Sequence, residues 1–256
     1  MCLIVFSFKQ HNKYPFILAA NRDELYDRPS SPARFWKQHP HLLAGKDEKL
    51  GGTWLGVTKQ GKFAALTNYR DLNNIKKSAP SRGNIVKDFL ADNQDPLGYL
   101  EGLKQSANAF NGFNLLTGSP DQLYHYSNET DDITEIKPGI HGISNAVLNT
   151  PWPKVETAKS VFEEVVNGEN IDQNRIFKML KNSEPYPENQ LPKTGLSKEM
   201  EKRVSPIFIK SKDYGTRCST LLKIRDDGVV TFIEKTYTPI AGTVTSETRF
   251  NFKIKS

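Results

Sequence analysis

Apolar residues come in short β-rich blocks at both ends of this chain and at helical spacing in its middle. Residues 2–8 and 16–20 are such blocks, joined by the polar stretch 9–13, and predict a hairpin. Residues 22–41 carry Pro29, Pro32 and Pro40 among many charges and predict a long ordered loop. Residues 53–57 and 63–67 flank the turn Lys59-Gln60-Gly61 and predict a second hairpin, entered through Gly51-Gly52. From Asn84 the period changes, with Ile85, Val86, Phe89 and Leu90 on one helical face. Asp95-Pro96 then reads as a cap and a first turn, opening a helix with Leu97, Leu100 and Leu103 inward. Short strands are expected at 113–116, 123–126, 133–136 and 140–144. Residues 153–166 predict an amphipathic helix with Val155, Ala158, Val161, Phe162 and Val165 inward, and 172–181 another. Residues 182–197 are rich in Pro, Glu and Lys and predict a loop suited to disorder or to a lid. Strands at 207–209, 219–224 and 229–233 close the pattern, the last two joined by Arg225-Asp226-Asp227-Gly228.

Hairpins at both ends with helices between them fit antiparallel sheets packed with helices, an α+β fold, and not a doubly wound parallel sheet. No repeat and no shift of composition divides the chain, so one domain over residues 1–256 is expected.

Composition narrows the class. A chain of 256 residues with 37% hydrophobic and 25% charged content has the balance of a globular protein rather than a disordered one. Lys and Arg number 35 against 29 Asp and Glu, a net charge of +6, but acids interleave the bases, as in Lys46-Asp47-Glu48-Lys49. There is no basic stripe with aromatic platforms, so nucleic acid is not an expected partner. The mild excess suits a solvated surface with some preference for anionic ligands. Cys2 and Cys218 form neither a metal-type spacing nor a disulfide framework. His39-Pro40-His41 lacks a nearby acidic or Cys partner, and His125 and His141 are isolated, so no metal site is expected. With no secretory leader and no membrane-length apolar stretch, a cytoplasmic location and no transmembrane segment are expected.

The chemistry gathers at strand ends. If Met1 is removed, Cys2 carries both a thiol and a free α-amine, so a nucleophile and a base share one residue. The same cysteine also reads as a small apolar residue at a chain end. The second strand runs into Asn21-Arg22-Asp23-Glu24, and an antiparallel hairpin returns that end to Cys2. A carboxylate there could hold the α-ammonium and an arginine could lower the thiol pKa; the alternative is a solvated strand exit with an internal ion pair. Asn68 and Asn145 read either as amide donors or as turn formers, and Arg217 either as a site residue or as a strand-edge ion pair. Gly51-Gly52-Thr53-Trp54-Leu55-Gly56 lacks the lysine of a P-loop and the dinucleotide spacing, and suits close backbone approach. Trp36, Trp54 and Trp152 are candidate pocket residues, with core packing the first assignment for Trp54.

Met1-Cys2 before an apolar strand, Asn21-Arg22-Asp23-Glu24, Gly51 to Gly56 and Leu66-Thr67-Asn68-Tyr69-Arg70 together resemble the NRDE-motif family. The likeness spans essentially the whole chain, including Gly142-Ile143-Ser144-Asn145 and Gly215-Thr216-Arg217-Cys218-Ser219-Thr220. Animal members of that family are called transport and Golgi organisation protein 2. The resemblance implies an αββα sandwich of N-terminal nucleophile type, with roles proposed in haem trafficking and in lipid or acyl-CoA metabolism. More distantly, the chain is similar to cysteine bile-salt hydrolases and penicillin V acylases, which also begin Met-Cys. That likeness implies Cys2 as nucleophile, Asp23 orienting the amine, Arg22 or Arg217 stabilising the thiolate, and Asn68 and Asn145 in an oxyanion site. The acylases space their Arg and Asp more widely than the adjacent Arg22-Asp23 here.

Two functions follow. One is an amidohydrolase or acyltransferase acting on a small amide or thioester without a cofactor. The other is a noncovalent carrier of haem or another hydrophobic anion on the same fold. No Cys-x-x-Cys-His sequence is present for covalent haem attachment.

Overall fold

A computed structural model describes residues 2–255. Met1, whose removal the nucleophile reading requires, lies outside the described residues. The chain opens with β1 (Cys2–His11) and β2 (Tyr14–Leu25), followed by β3 (Ser30–Phe35), β4 (Leu42–Asp47), β5 (Leu55–Thr58) and β6 (Phe63–Asn68). Helices α1 (Arg82–Ala91) and α2 (Pro96–Lys104) lead to β7 (Phe113–Gly118), β8 (Leu123–Ser127), β9 (Asp132–Glu135) and β10 (Gly139–Ile143). Helices α3 (Pro153–Val166), α4 (Gln173–Leu180) and α5 (Lys198–Arg203) come next. The last strands are β11 (Tyr214–Ile224), β12 (Val229–Tyr237) and β13 (Val244–Lys253).

Two antiparallel sheets result, ordered β10-β1-β2-β11-β12-β13 and β3-β4-β5-β6-β7-β8-β9. Alternation along β1 explains the layering. Ile4, Phe6 and Phe8 meet Phe63, Ala65 and Leu116 of the other sheet, while Leu3 and Val5 meet Val155, Phe162 and Ile176 of α3 and α4. On the far side, α1 and α2 lay Val86, Phe89 and Leu100 on Ala64, Leu115 and Tyr126. The layers are therefore helix, sheet, sheet, helix, the expected αββα sandwich. Being covered on both faces, β1 reads as an unbroken apolar run rather than an alternating one.

The structure corrects several boundaries. Residues 22–41 are not one long loop: β2 continues to Leu25 and β3 follows. Pro32 sits in that edge strand, where a missing N–H is tolerated. β4 had no expected counterpart, and β13 hides in a mostly polar sequence because only Phe250 and Phe252 reach the core. Residues 207–209 are buried without forming a strand; Ile207 O accepts from the Asn21 side chain and Ile209 N donates to Thr216 Oγ1. Residues 182–197 form a loop with a short 3-10 turn, held by the Thr194 N–H on Glu201 Oε1 and the Tyr186 N–H on Ser205 Oγ. That loop borders Arg70, Trp152 and Lys154. It does not line the cavity at Cys2, as a lid over Cys2 would.

Candidate functional site

Cross-strand register builds the site. Cys2 lies directly opposite Arg22 on β2, and Arg22 lies directly opposite Cys218 on β11. Directly opposed residues share a face, so these three side chains point between the sheets. Asp23, one residue on, belongs to the helix-facing side. There its Oδ1 accepts from Thr216 Oγ1 at 2.6 Å, and it attracts the buried Lys154 of α3. The adjacency of Arg22 and Asp23 thus divides two charges between two faces.

A β-bulge separates Arg217 from this group. Thr216 pairs with Asp23 and Cys218 with Arg22, which leaves Arg217 as the extra residue. Its Nη1 lies 2.8, 3.1 and 3.1 Å from the carbonyls of Leu25, Tyr26 and Arg28. Arg217 therefore clamps the turn between β2 and β3, and the structure does not bring it to the cavity at Cys2.

That cavity has a volume of about 220 Å³ and opens where β1, β2 and β6 meet the start of α1. Cys2, Arg22, Trp54, Asn68 and Arg82 line it, and Leu50 and Pro80 stand at its edge. Three arginines and three carboxylates line it; Glu24 Oε2 lies 3.8 Å from Arg22 Nη2 and 3.7 Å from Arg28 Nε. Arg28 Nε meets Asp47 Oδ2 at 2.6 Å, and Arg82 Nη1 donates to Gly112 O at 2.7 Å. The Arg22 guanidinium lies 4.2 Å from the centre of the Trp54 ring, a cation–π contact that fixes its plane. The wall at α1 depends on glycine: a Cβ on Gly52 would fall 2.4 Å from the Gly83 carbonyl carbon. The Gly51-Gly52 pair is used for close backbone approach, as its spacing suggests.

The two asparagines are brought to neighbouring places with different tasks. Asn68 ends β6 and lines the cavity. Asn145 is buried, and its Nδ2 donates to the Asn68 carbonyl at 2.7 Å, while its own carbonyl accepts from Arg70 N at 2.8 Å. Ser144 Oγ reaches Cys2 O at 3.0 Å. Ser144-Asn145 thus ties the first residue of β1 to the end of β6, and the Asn145 amide is spent on backbone.

Burial dominates the electrostatics. The Cys2 residue is only partly covered, yet dense protein surrounds its sulfur and pushes the thiol above its ordinary value. The Asp23 charge adds to the rise, while the Asp23 backbone N–H and Arg22 oppose it. Asp23 is also pushed up by burial. Lys154 is pushed down to about 8 by burial, against the pull of Asp23, and its Nζ donates to Val204 O at 3.2 Å. Cys218 is buried deeper, and its thiol is driven well above the ordinary value by desolvation and by Glu234.

Arg82 and Lys154 escape a reading of the sequence as site residues. Trp54, assigned to the core, lines the cavity and carries Arg22. The one usable signal for Arg82 is Gly83 beside it, a poor helix former at a helix start, which marks close packing. The histidines serve other ends. His125 meets Asn114 Oδ1 at 3.1 Å and is pushed down to about 4 by burial, and His141 stacks on Phe6. Among the described residues no group of His, Cys, Asp or Glu could hold a metal, and no helix is long and apolar enough to cross a membrane.

Solved structures with a similar fold include penicillin V acylase from Agrobacterium tumefaciens, 12% identical, covering 99% of this chain and 86% of that one, TM-score 0.50. The C2A mutant of conjugated bile acid hydrolase from Clostridium perfringens is 9% identical and covers 98% of this chain and 92% of that one, TM-score 0.53. These likenesses concern the fold, an N-terminal nucleophile type sandwich. Sequence relatives are far nearer. The transport and Golgi organization protein 2 homolog of Bos taurus is 35% identical, covering 100% of both chains. The Homo sapiens homolog is 37% identical over 92% of each. The family Transport and Golgi organisation 2 matches residues 1–239, which hold Cys2, the Asn21-Arg22-Asp23-Glu24 strand end and every cavity residue named above. The chain belongs to the Transport and Golgi organisation 2 family.

Proposed function

We propose that the chain is a cysteine amidohydrolase or acyltransferase of N-terminal nucleophile type, acting on a small amide or thioester. The observation that carries this reading is the cross-strand pair Cys2–Arg22 at the wall of an open, mostly polar cavity. In the proposed reaction Met1 has been removed and the α-amine takes the Cys2 proton. The Cys2 sulfur then attacks the acyl carbon, the C–N or C–S bond breaks with the proton passing to the leaving group, and an acyl-enzyme remains for water or a second acceptor. Arg22 faces the sulfur, and Asp23, on the other side of the strand, is placed to hold an ammonium. Asn68 at the cavity supplies an oxyanion donor, and one such donor is worth about 3 kcal/mol in the transition state. Asn145 acts through backbone, holding Asn68 against β1. No cofactor enters this scheme. The names of the two structural neighbours, an acylase and a bile acid hydrolase, agree with amide chemistry.

Carriage of haem or acyl-CoA is less well served. Drug-sized ligands occupy pockets of roughly 300–1,000 Å³ with mainly apolar linings. Here the cavity is about 220 Å³, and two of its three arginines, Arg22 and Arg28, already pair with Glu24 and Asp47. A haemin titration with a saturable spectral change lost on altering Arg82 would favour the carrier instead.

The test is the intact mass of the full chain before and after incubation with a panel of short-chain acyl amides and acyl thioesters. Loss of Met1 and an acyl adduct on Cys2, both absent from Cys2→Ala, are expected. Full turnover of a confirmed substrate by Cys2→Ala would sink the reading.

A further inference from the structure

Arg22, whose Nη2 lies 3.8 Å from Glu24 Oε2, has a second acidic neighbour on the same sheet face, beyond Cys218 and away from Cys2. Glu234 of β12 is 1% exposed, and its Oε1 accepts the Ala33 N–H of β3 at 2.7 Å, tying the two sheets together. Its Oε2 has no hydrogen-bond partner among the described residues, and neither has Arg22 Nη1. The Cys218 thiol and the Thr220 hydroxyl support the Glu234 carboxylate, and the Arg22 charge attracts it, which offsets part of the cost of burying both charges on one sheet face. Register places them for that. Glu234 lies opposite Thr220, Arg22 lies opposite Cys218, and both rows point between the sheets. Trp54 joins the two regions. Its ring carries Arg22, and it lines both the Cys2 cavity and a second one of about 190 Å³ bordered by Cys218, Glu234 and Tyr237.

We propose that Glu234 is a positioning residue for the nucleophile: its carboxylate competes with the Cys2 thiolate for the Arg22 guanidinium, and so sets how much of that charge the sulfur receives. The proposal rests on Cys2 being the nucleophile. The charged and titratable groups that act on Cys2 are Arg22 from β2, Arg82 from α1 and Cys218 from β11, with Asp23 of β2 and Lys154 of α3 acting from the helix-facing side. Those that face Glu234 are Cys218 from β11 and Arg22 from β2, with Arg217 and Tyr237 in the second cavity. Three strand spacings, about 14 Å, separate β12 from β1. The influence of Glu234 on the sulfur therefore runs through Arg22.

The experiment follows iodoacetamide labelling of Cys2 against pH in the full chain, read by peptide mass, and needs no substrate. Glu234→Gln keeps an oxygen for the Ala33 N–H and removes the charge. Its labelling midpoint should fall by about half a unit or more, roughly a threefold gain in thiolate below the midpoint. Glu234→Asp, with its carboxylate drawn back from Arg22, should move the midpoint the same way by less. In an Arg22→Gln background the Glu234→Gln shift should vanish, as a double-mutant cycle reads it. An unmoved or raised midpoint, or a shift that persists without Arg22, overturns the proposal. Should Glu234→Gln not fold by circular dichroism, Glu234→Asp decides alone, and an unmoved midpoint overturns it. Turnover by Cys2→Ala tests the nucleophile separately, because labelling midpoints do not depend on that outcome.

Discussion

Cys2 and Cys218 stand in one row across the six-stranded sheet, each directly beside Arg22, and their chemistry diverges with their surroundings. Cys2 is at the start of the inner strand β1, where β6 and α1 leave a cavity. Cys218 is in the middle of the longer β11 ladder, 4% exposed, with Glu234 rather than an arginine as its strongest charged neighbour. One thiol has access and a positive charge. The other is nearly covered, and the Glu234 charge outweighs the pull of Arg22 on its thiolate. Residue type and register are shared, so the difference is made by what lies above the sheet. The two sulfurs cannot bridge: two strand spacings are about 9.6 Å, beyond the roughly 7 Å that a disulfide spans.

Native labelling gives the largest contrast. Iodoacetamide should modify Cys2 at least ~100-fold faster than Cys218, with the two rates converging in denaturant, because thiolate fraction and access both favour Cys2. Peptide mapping over time checks this, and equal native rates would erase the distinction. The pH dependence sharpens it further. Desolvation favours the neutral thiol, so Cys2 labelling should rise about tenfold per pH unit and level off only above the ordinary thiol value of about 8.5. A plateau already reached at pH 7 would mean that Arg22 outweighs burial.

Smaller effects test the scaffolds of the two cysteines. Asn145→Ala removes the donor to the Asn68 carbonyl and should cost about 1–3 kcal/mol in urea unfolding, while speeding Cys2 labelling as the β1 end loosens. Unchanged stability would show that Asn145 is not the tie between β1 and β6. Cys218→Ala should be the mildest, at about 1 kcal/mol of stability with Cys2 labelling within a factor of about two. A large change in Cys2 labelling would show that the buried thiol, and not Glu234 alone, governs Arg22.

Much of this was legible in the chain. The opening hairpin, the helices around Val86 and Phe162, and the return of Asn21-Arg22-Asp23-Glu24 to Cys2 follow from local pattern, because hairpin register needs only a short turn. β3 and β13 were not legible. Both are edge strands with few buried side chains, so their alternation is faint. Arg217 and Asn145 show the same limit in the site. Each is the expected residue type near the expected strand end, but a bulge turns Arg217 to the carbonyls of residues 25, 26 and 28, and Asn145 is turned to backbone. Nothing in the neighbouring sequence encodes where a guanidinium on the adjacent strand, 192 residues further along the chain, will find acceptors.

The sequence by itself determined antiparallel sheets packed with helices, the pairing of Cys2 with the end of β2, and the family, whose resemblance implied the αββα layering. These rest on periodicity, on a short hairpin and on a combination of motifs, all local in the chain. Only the tertiary structure decided which face each charge takes, that Trp54 carries Arg22, that Arg82 and Lys154 join the site, and that Glu234 lies behind it. Those facts depend on contacts between residues up to two hundred positions apart, whose geometry is set by how two sheets and their helices pack rather than by any stretch of chain.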